Sequence, residues 1–209
     1  MASRSAQIID VPHERLSEAA RMLTRAFAAD PLMRYLFGDQ DDYLERLREF
    51  FRYNLDVHAR MGWPVLGAVP RSRLAGAIAV ATPDGPEWPE ELNEMYARFT
   101  SRLSKAAVER IERYADRTNK HFPDAPLFYV GMIGVRPESQ GQGYARLLLD
   151  EAHRRSAAHP TSTGVALDTE NPANVPLYES FGYTVTARVK LGDFEVWCMF
   201  RPNNSAARG

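Results

Sequence analysis

The feature that most constrains this chain is an almost wholly apolar run, Leu127 to Val135, that stops at Arg136-Pro137. It passes through Gln140-Gly141-Gln142-Gly143 and continues into the helical periodicity of Gly143 to Ala158. The run is too short to cross a membrane and predicts a central strand buried on both faces. A strand that enters a helix through a glycine loop gathers backbone N–H groups at the positive end of the helix dipole, which makes an anion site. Glycine at 141 and 143 keeps Cβ atoms clear and lets a diphosphate approach the main chain. The loop alone is equally compatible with a local need for glycine at a strand-to-helix turn. Two nucleotide-binding patterns fail on these residues. The dinucleotide fingerprint needs a third glycine where Arg146 stands, and the triphosphatase loop needs a Gly-Lys-Ser/Thr that is absent. What remains is Gln-x-x-Gly-x-Ala after a buried strand.

The rest of the chain reads as α/β. A strand is expected over residues 6–11, and Pro12 opens a helix with Leu16, Ala19, Ala20, Leu23 and Phe27 at helical spacing, ended by Asp30-Pro31. A second helix over 41–60 carries Leu44, Leu47, Phe51 and Leu55 on one stripe. Strands over 65–69 and 74–82, joined by a polar turn, form a hairpin. Helices follow over 89–103 and 105–118, whose Leu92, Met95, Tyr96 and Phe99 face the core or, alternatively, form the wall of a substrate pocket. Beyond the glycine loop, a helix buries Leu147, Leu148 and Ala152. A strand over 165–167, a helix over 172–180 and a hairpin around Gly192-Asp193 complete the pattern. One domain is expected over residues 1–202, and residues 203–209 are expected to be a disordered tail.

Charge and cysteine content narrow the function. Lysine and arginine number 26 against 27 acids, so no bulk charge points to nucleic acid or anionic lipid. Cys198 is the only cysteine and sits in an apolar run, which excludes an internal disulfide and fits a reducing compartment. No stretch approaches the length of a membrane span, so a cytoplasmic protein is expected. The five histidines show no metal-ligand spacing and are read as solvated or incidental, so no metal is expected.

Two segments carry a family resemblance. Val130 to Ala145 resembles the acetyl-CoA-binding motif of the GNAT superfamily, matched at Gln140, Gly143 and Ala145. Asn171-Pro-Ala-Asn174-Val-Pro-Leu177-Tyr178-Glu-Ser-Phe181-Gly182-Tyr183 resembles its second signature. The Asn-x-Pro-x-Tyr core, the closing Trp197-Cys198-Met199 and the early Ala26-Phe27-Ala28-x-x-Pro31 are similar to puromycin N-acetyltransferase and its relatives. The resemblance implies a single GNAT-type domain: a mixed, mostly antiparallel twisted sheet of about seven strands, flanked by helices and splayed between its two central parallel strands.

It also implies roles by position. The main chain of Ile133, Gly134 and Val135 would pair with the pantetheine arm of acetyl-CoA, which needs unpaired backbone rather than particular side chains. Gly141, Gln142, Gly143, Tyr144, Ala145 and Arg146, together with Gln140, would hold the pyrophosphate. Asn171 and Asn174 match cofactor-contacting asparagines, although Asn171 serves equally well as a helix cap. Tyr178 matches the general acid, since a phenol is protonated at neutral pH and can donate to a departing thiolate. The sequence departs from the family where many relatives place a glutamate base: Tyr129 and Ala166 stand there, and Asp168 and Glu170 are the nearest acids. Asp168 is read as a structural or amine-binding carboxylate and named as the candidate base. The implied reaction moves acetyl from acetyl-CoA to a primary amine of a small molecule, in a pocket that Tyr35, Phe37, Tyr96 or Phe99 could line. A protein N-terminal or lysine acetyltransferase, and a non-catalytic acyl-CoA-binding module, are the alternatives. Either a monomer or a homodimer is compatible with the sequence.

Overall fold

The apolar segments pair into one seven-stranded sheet in the order β1-β2-β3-β4-β5-β7-β6. These strands are β1 (Gln7–Asp10), β2 (Val65–Val69), β3 (Gly76–Ala81), β4 (Phe128–Val135), β5 (Gly164–Thr169), β6 (Thr184–Leu191) and β7 (Phe194–Pro202). The computed structural model describes residues 6–203. Every neighbouring pair is antiparallel except β4 and β5, which run parallel. This is the expected fold class.

The helices are α1 (Leu16–Ala26), α2 (Pro31–Phe37), α3 (Tyr43–Arg60), α4 (Glu90–Thr100), α5 (Lys105–Thr118), α6 (Tyr144–Ala158) and α7 (Val175–Glu179). On one face, Leu23 of α1 and Leu47 and Phe51 of α3 share a core with Ala77, Ala79 and Met132 of the sheet. On the other face, Leu148, Leu149 and Ala152 of α6 pack with Ile78, Val80, Phe128 and Val130. The domain is therefore a three-layer sandwich whose small β3 alanines let the helices sit close.

A β-bulge in β4 organises the functional end of this sheet. Val130 pairs with Val80 and Met132 with Ala79, which leaves Gly131 as the extra residue. The bulge reverses the side-chain faces. Phe128 and Val130 point toward α6 before it, while Ile133 and Val135 pack against that same core after it. Met132 and Gly134 turn toward α1 instead, and a Cβ on Gly134 would come within 2.9 Å of Leu23 and 3.1 Å of Phe27. Pairing with β5 ends at the same place: it covers only Phe128, Tyr129 and Val130. Among the described residues, the β5-facing edge of β4 has no strand partner from Gly131 to Val135.

Several expectations need correction. The central strand is not buried on both faces throughout, because after the bulge Ile133 and Val135 border a cleft and stay only partly covered, while Met132 and Gly134 are buried. Asp30-Pro31 does end the first helix, but it also starts another: Asp30 caps α2, accepting from the Met33 N–H at 3.1 Å, with Pro31 in its first turn. Leu44 is 55% exposed and Leu147 is 37% exposed, with Tyr43 and Leu149 taking the buried positions. His58 and His153 are buried rather than solvated, and His153 Nε2 lies 2.8 Å from the Tyr183 hydroxyl. The expected 172–180 helix is split into a 3-10 turn, Pro172–Asn174, followed by α7. Asn203 belongs to the folded domain. Its N–H donates to Thr163 O at 2.9 Å, and its amide nitrogen donates to Ser156 O and Ser162 O at 3.0 and 2.9 Å. The remainder of the expected tail lies outside the described residues. No helix among the described residues is long and apolar enough to cross a membrane.

Candidate active site

The unpaired edge of β4, the N-terminus of α6 and one side of α7 enclose a cleft of about 330 Å³. Ile133, Gly134 and Val135 form one wall, and Gln140, Gly141, Gly143, Tyr144, Ala145 and Arg146 form the end. Asn174 and Tyr178 stand opposite. Residues separated by more than forty positions in the sequence thus share one space. Gly141 and Gly143 have φ of 73° and 83°, in the left-handed region that glycine enters without Cβ strain. A Cβ at either would meet nothing within 4 Å, so both glycines border open space rather than packed protein.

Three of the expected residues are differently employed. Asn171 does not line the cleft: its side chain accepts from the Ala173 N–H at 3.0 Å and caps the 3-10 turn. Gln142 also lies outside the lining, its oxygen accepting from the Tyr144 hydroxyl at 3.2 Å. Gln140 borders the cleft while its amide donates to Val135 O at 3.3 Å, tying the loop to the strand end. Ser139, Leu149, Leu177 and Phe181 also line the cleft and were not singled out in the sequence. Phe181 and Leu177 were nonetheless inside the second signature, and the spacing of Tyr178 to Phe181 puts them one helical turn apart. The Arg146 guanidinium lies over the Phe181 ring, 4.4 Å from its centroid, closing the side of the cleft.

Tyr178 is 7% exposed, and among the described residues its hydroxyl has no hydrogen-bond partner. Burial, reinforced by Glu170, Asp168 and Asp30, pushes its phenol well above the ordinary value, so it is protonated across the physiological range. Its ring packs edge-on against Tyr183 at 5.8 Å, which fixes its direction.

Asp168 lies just beyond the parallel pairing, near the end of β5. Its two carboxylate oxygens accept from the hydroxyls of Tyr114 on α5 and Tyr129 on β4. Glu170 lies 2.8 Å from the same Tyr114 hydroxyl. Burial and mutual repulsion raise the affinity of Asp168 for a proton; burial and the nearby Asp30 do the same for Glu170. Of the aromatic residues considered for a substrate pocket, Phe37 and Phe99 are core residues, and Tyr35 packs edge-on against Phe194 at 5.2 Å. Among the described residues no group of three or more His, Cys, Asp and Glu side chains is arranged to hold a metal ion.

A splayed parallel pair facing a glycine loop at a helix N-terminus defines the class: an α/β domain with an open strand edge beside that loop. Residues 105–185, which run from α5 through the whole of the cleft, match the family model of the acetyltransferase (GNAT) domain. Those residues thus resemble a GNAT acetyltransferase domain. It superposes on a histone acetyltransferase HPA2 and related acetyltransferase from Corynebacterium glutamicum with a TM-score of 0.73, at 16% identity over 96% of this chain and 97% of that one. Arylalkylamine N-acetyltransferase 2 from Aedes aegypti gives 0.67 at 11% identity, covering 96% and 100%. The ribosomal-protein-S18-alanine N-acetyltransferase from Escherichia coli gives 0.56 at 16% identity, covering 98% of each. Identities this low speak to the fold. The domain match over residues 105–185 is what supports acetyltransferase activity.

Proposed function

We propose that the protein transfers an acetyl group from acetyl-CoA to a primary amine of a small molecule, with Tyr178 as the general acid. The observation that carries this reading is the strand edge from Gly131 to Val135, free of β5 and set against the glycine loop with Tyr178 in the same cleft. The free edge offers the pantetheine arm a strand-like partner, and the loop offers the pyrophosphate backbone N–H groups at the start of α6. Gln140, Gly141, Gly143, Tyr144, Ala145, Arg146 and Asn174 would contact the cofactor. Asn171 would support the adjacent turn rather than bind.

In the reaction the neutral amine attacks the thioester carbonyl, a C–N bond forms, and the C–S bond breaks. Tyr178 delivers its proton to the departing sulfur, which avoids release of a bare thiolate into a buried site, and the tyrosinate is restored by the N–H proton that the newly acylated nitrogen loses. Asp168 takes the proton from the incoming ammonium. The acids lie half-buried, tied to Tyr114 of α5 and outside the lining of the cleft, a setting we read as suited to a small amine. The puromycin N-acetyltransferase resemblance points the same way. A single cysteine, buried in the core, suits a cytoplasmic site of action.

Release of free thiol from acetyl-CoA, followed across a panel of small primary amines and of peptides, tests the reading. Turnover with a small amine is expected. Turnover confined to peptides would move the acceptor to proteins, and a blank throughout, despite measurable CoA binding, would make the domain a binding module.

A further inference from the structure

Three hydroxyl and carboxyl groups on the acceptor side do not balance unless one extra proton is present. A tyrosine hydroxyl carries a single hydrogen, and an ionised carboxylate only accepts. The Tyr114 oxygen nevertheless contacts Asp168 Oδ2 and Glu170 Oε1 together. Its one hydrogen can satisfy one of them. The other contact needs a hydrogen from the carboxyl side. The Tyr129 hydroxyl donates to Asp168 Oδ1, so Asp168 has a phenol on each oxygen and Glu170 has no such second donor. The consistent assignment gives Asp168 the charge and Glu170 the proton, which Glu170 donates to the Tyr114 oxygen.

We propose that Tyr114 is a positioning residue that ties Asp168 and Glu170 into a pair holding one proton between them and keeps Asp168 ionised to receive the proton of the acceptor. The proposal rests on the acetyltransferase reading above for its catalytic consequence, but the shared proton exists without substrate. When the ammonium of the acceptor loses a proton, an N–H bond breaks and an O–H bond forms on Asp168. The amine becomes the neutral nucleophile, and the pair then carries two protons until one leaves to water. No oxidant or further reactant is required.

The surroundings support this division. The groups facing the pair are Tyr129 from β4, Tyr178 from α7, Cys198 from β7 and Asp30 from the cap of α2, besides Tyr114 from α5. None is a cation. Without a lysine or arginine, two half-buried carboxylates cannot both stay charged at low cost, and retention of a proton is the remaining way to relieve them. Tyr114 is also reached from a helix distant in sequence, 54 residues from Asp168, so its role is one of bringing α5 onto the end of β5.

The test uses carboxyl ¹³C titration of the free protein together with pH–rate profiles, in the wild type and in Tyr114→Phe, Asp168→Asn and Glu170→Gln. One carboxyl of the pair should titrate well above the other carboxylates. In Tyr114→Phe the high titration should shift, because protonated Glu170 loses its acceptor, and the acidic limb of kcat/KM should move to higher pH by about one unit, because ionised Asp168 loses a donor. Asp168→Asn should reduce kcat/KM at least tenfold more than Glu170→Gln. Ordinary titration of both carboxyls, or a titration identical in wild type and Tyr114→Phe, would overturn the proposal. So would a larger loss in Glu170→Gln. If the wild type acetylates no amine, the proposed function fails, and the carboxyl titration still decides whether the pair shares its proton.

Discussion

Gly141 and Gly143 hold φ of 73° and 83° beside open space, so a side chain there would be penalised twice: by the left-handed backbone, and by occupying the volume assigned to the pyrophosphate. Gly143→Val should cost about 1–2 kcal/mol of stability from the backbone alone. It should also weaken CoA binding at least tenfold, as read by calorimetric titration. Undiminished affinity would remove the loop from the binding site. At Tyr178 the change is chemical. Tyr178→Phe keeps the ring against Tyr183 and deletes the proton donor, so turnover should fall about a hundredfold or more while CoA affinity stays put. Equal turnover in the variant would end the general-acid assignment. These residues were legible because a glycine loop and a two-part signature are written in consecutive positions. Tyr114 was not legible: its partner Asp168 is 54 residues away, and nothing in the local spacing of α5 marks it. Asn171 shows the reverse, since its capping geometry was as visible in the sequence as its match to the family.

At the scale of elements, β4 does most to create the site. The bulge at Gly131 ends its pairing with β5 and turns Gly134 under α1, where Leu23, Ala26 and Phe27 leave no room for a Cβ. Gly134→Ala should therefore destabilise the protein by about 1–3 kcal/mol, through overpacking that pushes α1 off the sheet. A urea midpoint equal to that of the wild type would contradict the tight approach. Gly131 inside the apolar run was the one sign of the bulge, but which residue is left unpaired depends on register with β3. For the same reason the run was read as buried on both faces. The short helix α2 escaped notice because Asp30-Pro31 signals a stop and a start with the same two residues, and both occur here. The stripes of α3 and α6 were placed about one residue off at Leu44 and Leu147. Helical periodicity locates an apolar face more securely than its edge.

For the whole molecule, the individual strands and helices followed from patterning and the mixed sheet flanked by helices from the family resemblance, while the strand order and the internal electrostatics did not. His58 is an example: it is buried against the edge of Trp63, its Nδ1 has no partner, and burial pushes its pKa down to about 4. The unfolded chain then binds more protons than the folded one between about pH 4 and the ordinary histidine value of about 6.5, so this group's contribution to stability is lost as pH falls through that window. His58→Phe removes that dependence. Its stability relative to wild type, from urea unfolding at several pH values, should rise as pH falls from about 6.5 to about 4. A constant difference would show that His58 is solvated in the folded state.

The account as a whole turns on the free edge of β4. Amide hydrogen exchange over residues 131–135, with and without saturating CoA, tests it most directly. Protection of that segment and of the loop over residues 141–146 on CoA binding is the predicted result. Tight CoA binding that leaves exchange along 131–135 unchanged would contradict the cleft assigned here.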